Sequence, residues 1–364
     1  MSLNTISISK AFAFLPFIGL VFLTSCSIRP VAWEPLPAPV FESELELNTE
    51  LVASEKIDLL GYYGAEDFVV DSAGFIYTGV HSGPTDFSKG AILRFKKDGC
   101  AEEFMKTSGW ITGMSFDQSG GLVALRHGVG LLRIQAGVVD TMLTHTSEGM
   151  PLLMGAGLKI DREGFIYFTN LSSTNMPSPK YFNKLILEMK PTGGVYRYDP
   201  TQDIVTEISA GNYFGNGLEL SENEDFLLVS ETSKYRILRY WLKGPKAGTK
   251  EVFVDNLPGF PNNISRSKNG HYWIGFTTKR NMQLDQLHTK PGMKKLVYGL
   301  PSFLQPAPEA FGMVLELDDT GKITRALFDP KGECVKEAGA VFENDGYLFL
   351  GGDVVQYVSK SKIK

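Results

Sequence analysis

Along most of the chain a short polar stretch, usually with Gly or Asp, gives way to an apolar run rich in aromatic and β-branched residues. The pattern recurs six times. "DSAGFIYTG" opens at Asp71, "DQSGGLVAL" at Asp117, "DREGFIYFT" at Asp161, "SENEDFLLVSE" at Ser221, "SKNGHYWIGF" at Ser267 and "ENDGYLFLGG" at Glu343. Each reads as a tight turn running into a buried strand. After the first five comes a second strand of mixed apolar and basic character, such as "AILRFKKDG", "GGVYRYDP" or the more displaced "GMVLELDDTG". A third follows, as in "TEISA" and "KEVFVDN".

The openings are spaced by 46, 44, 60, 46 and 76 residues. Units of ~40–50 residues with several short strands are the signature of propeller blades. The pattern therefore predicts an all-β fold, a six-bladed β-propeller over residues 46–364. The last unit ends at "DVVQYVSKSKIK" with no room for a further strand. "SEKIDLL" (54–60) is expected to complete that blade, leaving no open sheet edge. In the longest spacing, Met293, Leu296, Val297, Leu300 and Leu304 recur at helical intervals, with Pro291 near the start and Pro301 near the end. This predicts a helical insertion, about 281–306, between the last two blades. It could pack on the propeller, cap its axis or face a membrane.

The N-terminus has a different character. A polar start is followed by the 13-residue apolar run "AFAFLPFIGLVFL" and then "TSC". That run is shorter than the ~20 residues a membrane span needs and suits a signal-peptide core over residues 1–25. "LTSC" resembles the lipobox of bacterial lipoproteins, which implies acylation of Cys26. Ser27 resembles the sorting signal for the outer membrane, facing the periplasm. Residues 26–45 are proline-rich and read as an extended tether.

Charge and motifs narrow the chemistry. The chain carries 36 Lys and Arg against 41 Asp and Glu, a net charge of −5 without a basic stripe. That excludes the electrostatic footprint of a nucleic-acid binder. Cys100 and Cys334 sit beside no His and in no CxxC, so neither reads as a nucleophile or zinc ligand. No GxSxG, HExxH, P-loop or GxGxxG motif is present. Glu231 and Arg236 read as a structural ion pair.

"GAEDFVVDSAGFIYTG", "LILEMKPTGGVYRYDP", "FGNGLELSENEDFLLVSET", "VFVDNLPGFPNNI" and "FGMVLELDDTGK" resemble strictosidine synthase-like proteins, with the block 185–264 the most specific. These belong with paraoxonases and gluconolactonases among six-bladed propellers. The resemblance implies an axial site where a divalent ion, usually calcium, polarises an ester or lactone carbonyl. Matched residue by residue, the ligands would be Glu66, Asn216, Asn262 and Asn263. The chain departs from the family in three places. A third-blade Asn is replaced at Ala156 or Gly157, the Asp of a "PDN" phrase is Asn262, and Gly339 stands where the plant synthase has its catalytic Glu. The alkaloid-forming condensation is therefore not expected. His127, at a place loosely comparable to a paraoxonase base, is the candidate catalytic base, and His81 also follows a strand end. The implied function is lactone or ester hydrolysis on a small-molecule substrate. The alternative is a non-catalytic propeller that binds a ligand or a protein in the cell envelope.

Overall fold

The first three polar turns are each built by one aspartate side chain. Asp71 Oδ1 accepts the backbone N–H groups of Ala73 and Phe75, both at 2.9 Å. Asp117 does the same for Ser119 and Gly121, and Asp161 for Glu163 and Phe165. A carboxylate in this role stands in for backbone partners and lets the chain reverse within a few residues. Gly74 completes the first turn at φ +85°, a left-handed position that favours glycine.

The computed structural model describes residues 28–96, 99–172, 179–301 and 304–363. Its strands form six four-stranded antiparallel sheets. The closing strand β1 is Glu55–Asp58. Blade one is β2 (Phe68–Val70), β3 (Ile76–Gly83), β4 (Asp86–Phe95) and β5 (Ala101–Thr107). Blade two is β6 (Ile111–Phe116), β7 (Leu122–Arg126), β8 (Gly130–Gln135) and β9 (Val138–Leu143). Blade three is β10 (Gly155–Ile160), β11 (Ile166–Asn170), β12 (Gly193–Asp199) and β13 (Ile204–Asn212). Blade four is β14 (Gly215–Leu220), β15 (Phe226–Glu231), β16 (Arg236–Trp241) and β17 (Lys250–Val254). Blade five is β18 (Gly259–Arg266), β19 (Tyr272–Lys279), β20 (Gly312–Leu317) and β21 (Ile323–Asp329). Blade six is β22 (Ala340–Asn344), β23 (Tyr347–Gly351) and β24 (Tyr357–Lys362), with β1 as its outer strand. Glu55 pairs with Lys360 and Asp58 with Tyr357, so the expected N-terminal closure is present.

The innermost strands β2, β6, β10, β14, β18 and β22 touch in sequence around the axis, and β22 meets β2. Their backbones approach closely. A Cβ on Gly113 would stand 2.2 Å from the Ala156 carbonyl oxygen, and one on Gly157 would stand 2.6 Å from the Leu218 nitrogen. One on Gly217 would lie 2.5 Å from Asn263 Cα. Apolar layers fill the wedges between blades, for example Tyr167, Leu218, Leu227 and Val229 between blades three and four. Burying such side chains contributes roughly 1.5–3 kcal/mol each.

Three helices lie at the end of the propeller opposite the polar turns. Helix α1 (Pro179–Glu188) joins β11 to β12 and has no counterpart among the predicted elements. Helices α2 (Met282–His288) and α3 (Pro291–Gly299) form the expected insertion. It lies inside blade five, between β19 and β20, and not between the last two blades. The displaced "GMVLELDDTG" segment carries β20, the third strand of blade five, and this places the insertion within that sheet.

The proline-rich segment is extended, but it is no free tether. Backbone N–H groups of Val31 and Trp33 donate to Glu188 and His288 carbonyls at 2.9 and 3.0 Å. Arg280 donates to the Leu36 carbonyl, and Phe41 packs on Phe311 and Phe328. Contacts with the propeller thus begin at Ile28, earlier than the residue 46 boundary predicted. The signal segment 1–25 and Cys26 lie outside the described residues. Among the described residues no helix is long and apolar enough to cross a membrane. Cys100 and Cys334 are not joined in a disulfide.

Candidate axial active site

The starts of the inner strands bring the predicted residues to the axis. Glu66 precedes β2, Asn216 lies near the start of β14, and Asn262 and Asn263 sit side by side within β18. All four are buried. Asn263 Nδ2 donates to the Glu66 carbonyl oxygen, tying blade five to blade one across the axis. The Asn263 backbone N–H donates to the Gly339 carbonyl at 3.0 Å, which brings in blade six. Asn216 Nδ2 reaches Thr232 Oγ1 at 3.5 Å, and Asn262 Nδ2 reaches Thr277 Oγ1 at 3.4 Å. Those weak anchors occupy the amide nitrogens and leave Asn216 Oδ1 and Asn262 Oδ1 without a donor. Glu66 Oε2 is likewise buried and unpartnered.

Blade six adds two carboxylates that the sequence reading missed. Asp353 follows β23, and its carboxyl lies beside that of Glu66. Burial, then the neighbouring Asp353 charge, pushes the Glu66 carboxyl well above the ordinary range. Glu337 precedes β22 by three residues and is buried at 6% exposure. Its side chain fits because position 352 is glycine: a Cβ there would stand 2.6 Å from Glu337 Cδ. A Cβ on Gly339 would lie 2.7 Å from Asn262 Nδ2 and 3.7 Å from Glu337 Oε1. The Glu337 carboxylate therefore reaches the neighbourhood vacated by the side chain missing at 339. Burial and the Asp353 charge push its pKa up to about 8. Glu337 Oε1 also has no donor.

The two histidines occupy the blade-one and blade-two side. His127 is buried edge-on against Trp110 and shares an Nε2 hydrogen bond of 3.0 Å with the Gly155 carbonyl. As a carbonyl only accepts, Nε2 carries the proton and the unpartnered Nδ1 is a bare acceptor. Burial pulls the ring pKa down to about 3. His127 is therefore neutral near pH 7 and a weak base. His81 lies between two carbonyl oxygens, Gly83 at 2.7 Å and Asp353 at 2.9 Å, and burial lowers its pKa as well.

The third-blade place is closed. Ala156 is packed with Met154, Leu171 and the α1 residues Tyr181 and Leu185. The Gly157 N–H donates to Thr169 Oγ1 at 2.9 Å, whose hydroxyl donates to the Asn216 carbonyl at 2.6 Å. Above it Phe182 of α1 spans from Phe87 of blade one to Phe214 at the edge of blade four, with ring centroids 6.0 and 5.9 Å away. Helix α1 thus caps the axis. The expected Glu231–Arg236 pair is formed at 2.6 Å, and Glu231 also accepts the Tyr213 N–H.

Buried, unpartnered oxygens from a carboxylate and two amides are hard donors of the kind calcium takes. The residues fit such an ion in chemistry. Among the described residues no three His, Cys, Asp or Glu side chains gather as a metal site, so an ion would depend on the amide oxygens.

The strictosidine synthase family model matches residues 156–245, and the strictosidine synthase-like N-terminal model matches residues 44–84. Protein STRICTOSIDINE SYNTHASE-LIKE 10 of Arabidopsis thaliana is 31% identical over 338 residues, covering 86% of this chain and 90% of its own length. The Adipocyte plasma membrane-associated protein of Rattus norvegicus is 31% identical over 354 residues, covering 93% of each chain. The chain belongs to the strictosidine synthase-like family. Within solved structures, a gluconolactonase from Xanthomonas campestris superposes on this family member with a TM-score of 0.60 at 17% identity. That match covers 93% of this chain and 99% of the other. A luciferin-regenerating enzyme gives a TM-score of 0.58 at 11% identity, covering 86% and 98%. At such identities the shared property is the six-bladed fold.

A signal for Asp353 was present in this family member's sequence. Polar residues stand at or just after the second strand of several blades, at His81, His127 and Asp353. Glu337 had a fainter one, a carboxylate two residues before the glycine that replaces the family's Glu.

Proposed function

We propose that this strictosidine synthase-like protein is a hydrolase of lactones or esters that works at the propeller axis. The observation that supports it most is the set of buried oxygens without donors, on Glu66, Asn216, Asn262 and Glu337, at the place where the family resemblance puts its site. Unsatisfied buried acceptors cost roughly 1–3 kcal/mol each, so they mark a place built to receive something. A calcium ion held by Glu66, Asn216, Asn262 and Asn263 would polarise the substrate carbonyl. In this proposal the carboxyl cluster handles protons. As water attacks the carbonyl carbon, Asp353 takes its proton while Glu66 holds the ion. As the carbon–oxygen bond of the ester breaks, Glu337, held protonated by burial, gives one to the departing oxygen. His127 acts as a neutral acceptor that orients a hydroxyl, and not as the main base. Access requires α1 to move, because Phe182 covers the axis.

We further propose that the full chain is anchored at the cell envelope; the lipobox-like "LTSC" supports this reading. The test is a panel of lactones and aryl esters with calcium and with chelator, on the wild type, Glu66→Gln and Glu337→Gln. Turnover that falls about 10²-fold or more in Glu66→Gln is expected, the size usual for losing one oxyanion-stabilising group. No turnover on any substrate would transfer the site to a binding role.

A further inference from the structure

The helical end of the propeller has an inverted surface. On α3 the side chain of Lys294 is fully buried, its Nζ donating to the Val31 carbonyl at 2.8 Å. Its neighbours Met293 and Leu296 point outward at 48% and 49% exposure. An amphipathic helix on a protein in water normally does the reverse. Met282 at the start of α2 is 74% exposed, and Leu304 and Val31 are at least half exposed. All five lie on the cap or on the segment bound to it, away from the polar turns.

Two further observations say what covers this face. The first is where the chain leaves the described residues. Ile28 is 1% exposed, packed against Leu187 of α1 and Tyr298 of α3. Cys26 is two residues earlier, and the apolar run ends at Leu23. At ~3.3–3.6 Å per residue, Cys26 lies within ~7 Å of Ile28 and Leu23 within ~18 Å. Any lipid on Cys26, or any apolar run retained in a bilayer, must therefore emerge beside α1 and α3. The second is charge. Residues 179–190 and 280–300 carry seven Lys or Arg against two Asp or Glu, in a chain with net charge −5. Of these, Lys180, Lys290 and Lys295 are exposed around the apolar side chains.

We propose that the cap formed by α1, α2 and α3 is a membrane-docking face, seated on the headgroup layer of a bilayer with anionic phospholipids. Met293, Leu296, Met282 and Val31 enter the acyl boundary and the surrounding lysines meet lipid phosphates. The buried strap at Ile28 makes the attachment short and stiff, so the anchor fixes orientation as well as location. The axial site then opens toward the membrane and the polar turns face away from it. This inference rests on the envelope-anchored reading of the N-terminus and is independent of the proposed chemistry.

The test uses the full chain with vesicles of phosphatidylethanolamine and phosphatidylglycerol, with and without nitroxide-labelled lipid. In a background with Cys100 and Cys334 changed to Ser, a fluorophore is attached at Met293→Cys or, as the opposite-end control, at Asn269→Cys. Flotation with the vesicles reports the anchor, and nitroxide quenching reports the docked face. With the cap seated ~5–10 Å into the interface, the Met293 probe is expected to be quenched about threefold more than the Asn269 probe. Chain that floats with equal quenching at the two positions, or more at Asn269, overturns the docking face while leaving the anchor in place. Chain that does not float overturns the anchor and the docking face together. Met282→Asp with Leu296→Asp, which adds charge only at exposed positions and leaves the probe at 293 in place, should reduce the difference toward parity.

Discussion

The two halves of the axial ring differ sharply. On the side of blades four to six and one, the inner strands present Asn216, Asn262, Asn263, Glu337 and Glu66, several with unpartnered oxygens. On the side of blades two and three the same level holds Thr112, Ala156 and Gly157, whose polar atoms are bound by neighbouring backbone or by Thr169. One half carries unpartnered side-chain oxygens and the other carries close backbone packing. The contrast teaches that a position without a donor side chain need not be a hole. At Gly157 the main chain of the adjacent blade fills the space, so a donor cannot simply be added there.

The largest expected effect comes from trying to add one. Gly157→Asn would supply the missing amide, but its Cβ meets the Leu218 nitrogen at 2.6 Å. Overpacking of this kind should destabilise by ~3 kcal/mol, a melting temperature lower by roughly 5 °C or more in a scanning experiment. A variant that melts like wild type and gains calcium affinity would show the two halves to be interchangeable. Asn262→Asp works on the open half and restores a charge. It should tighten calcium binding about tenfold by titration calorimetry, since affinity follows ligand charge. Unchanged affinity would remove Asn262 from the donor set.

Glu337→Gln addresses proton storage on the same half. Folded Glu337 keeps its proton up to about 8, against an ordinary value of 4.5. Between those values the folded state binds the extra proton, so stability declines as pH rises and levels off above them. The variant should lose that slope and melt a few degrees higher than wild type at pH 8, with little difference at pH 4.5. Equal slopes would mean that Glu337 does not titrate there. His127→Ala, on the closed half, should change turnover by less than about tenfold and leave the pH profile near neutrality where it is, because the ring is already uncharged. A lost limb in that profile would restore His127 as the base.

The fold was legible because each blade announces itself locally. Asp71, Asp117 and Asp161 are read by eye as turn residues, and each does its work within four residues of chain. The strand at 55–58 was predictable from the missing edge it fills. Helix α1 was not, because its apolar positions sit inside a motif that resembles strand-rich relatives, and its stability comes from Ala156, Phe214 and Leu171 rather than from its own sequence. The strap shows a related limit: four prolines predict extension correctly but say nothing about what the extended chain lies on. In the site, Glu66 and the asparagines were found through resemblance. Glu337 is harder to see because its place depends on the glycines at 339 and 352, which bear no chemistry of their own.

The pairing of β1 with β24 also sets an order of events in time. Among the described strands, the one that finishes blade six comes first in the chain and its partner β24 comes after all the others. No intermediate length can close the ring, and the entropy of joining such distant segments falls on the final step. Until Tyr357 to Lys362 have emerged, β1 and the exposed edge of blade one have nothing to hold them. Ring closure thus waits for blade six, and a variant lacking Tyr357–Lys362 should remain open however well its other blades are formed.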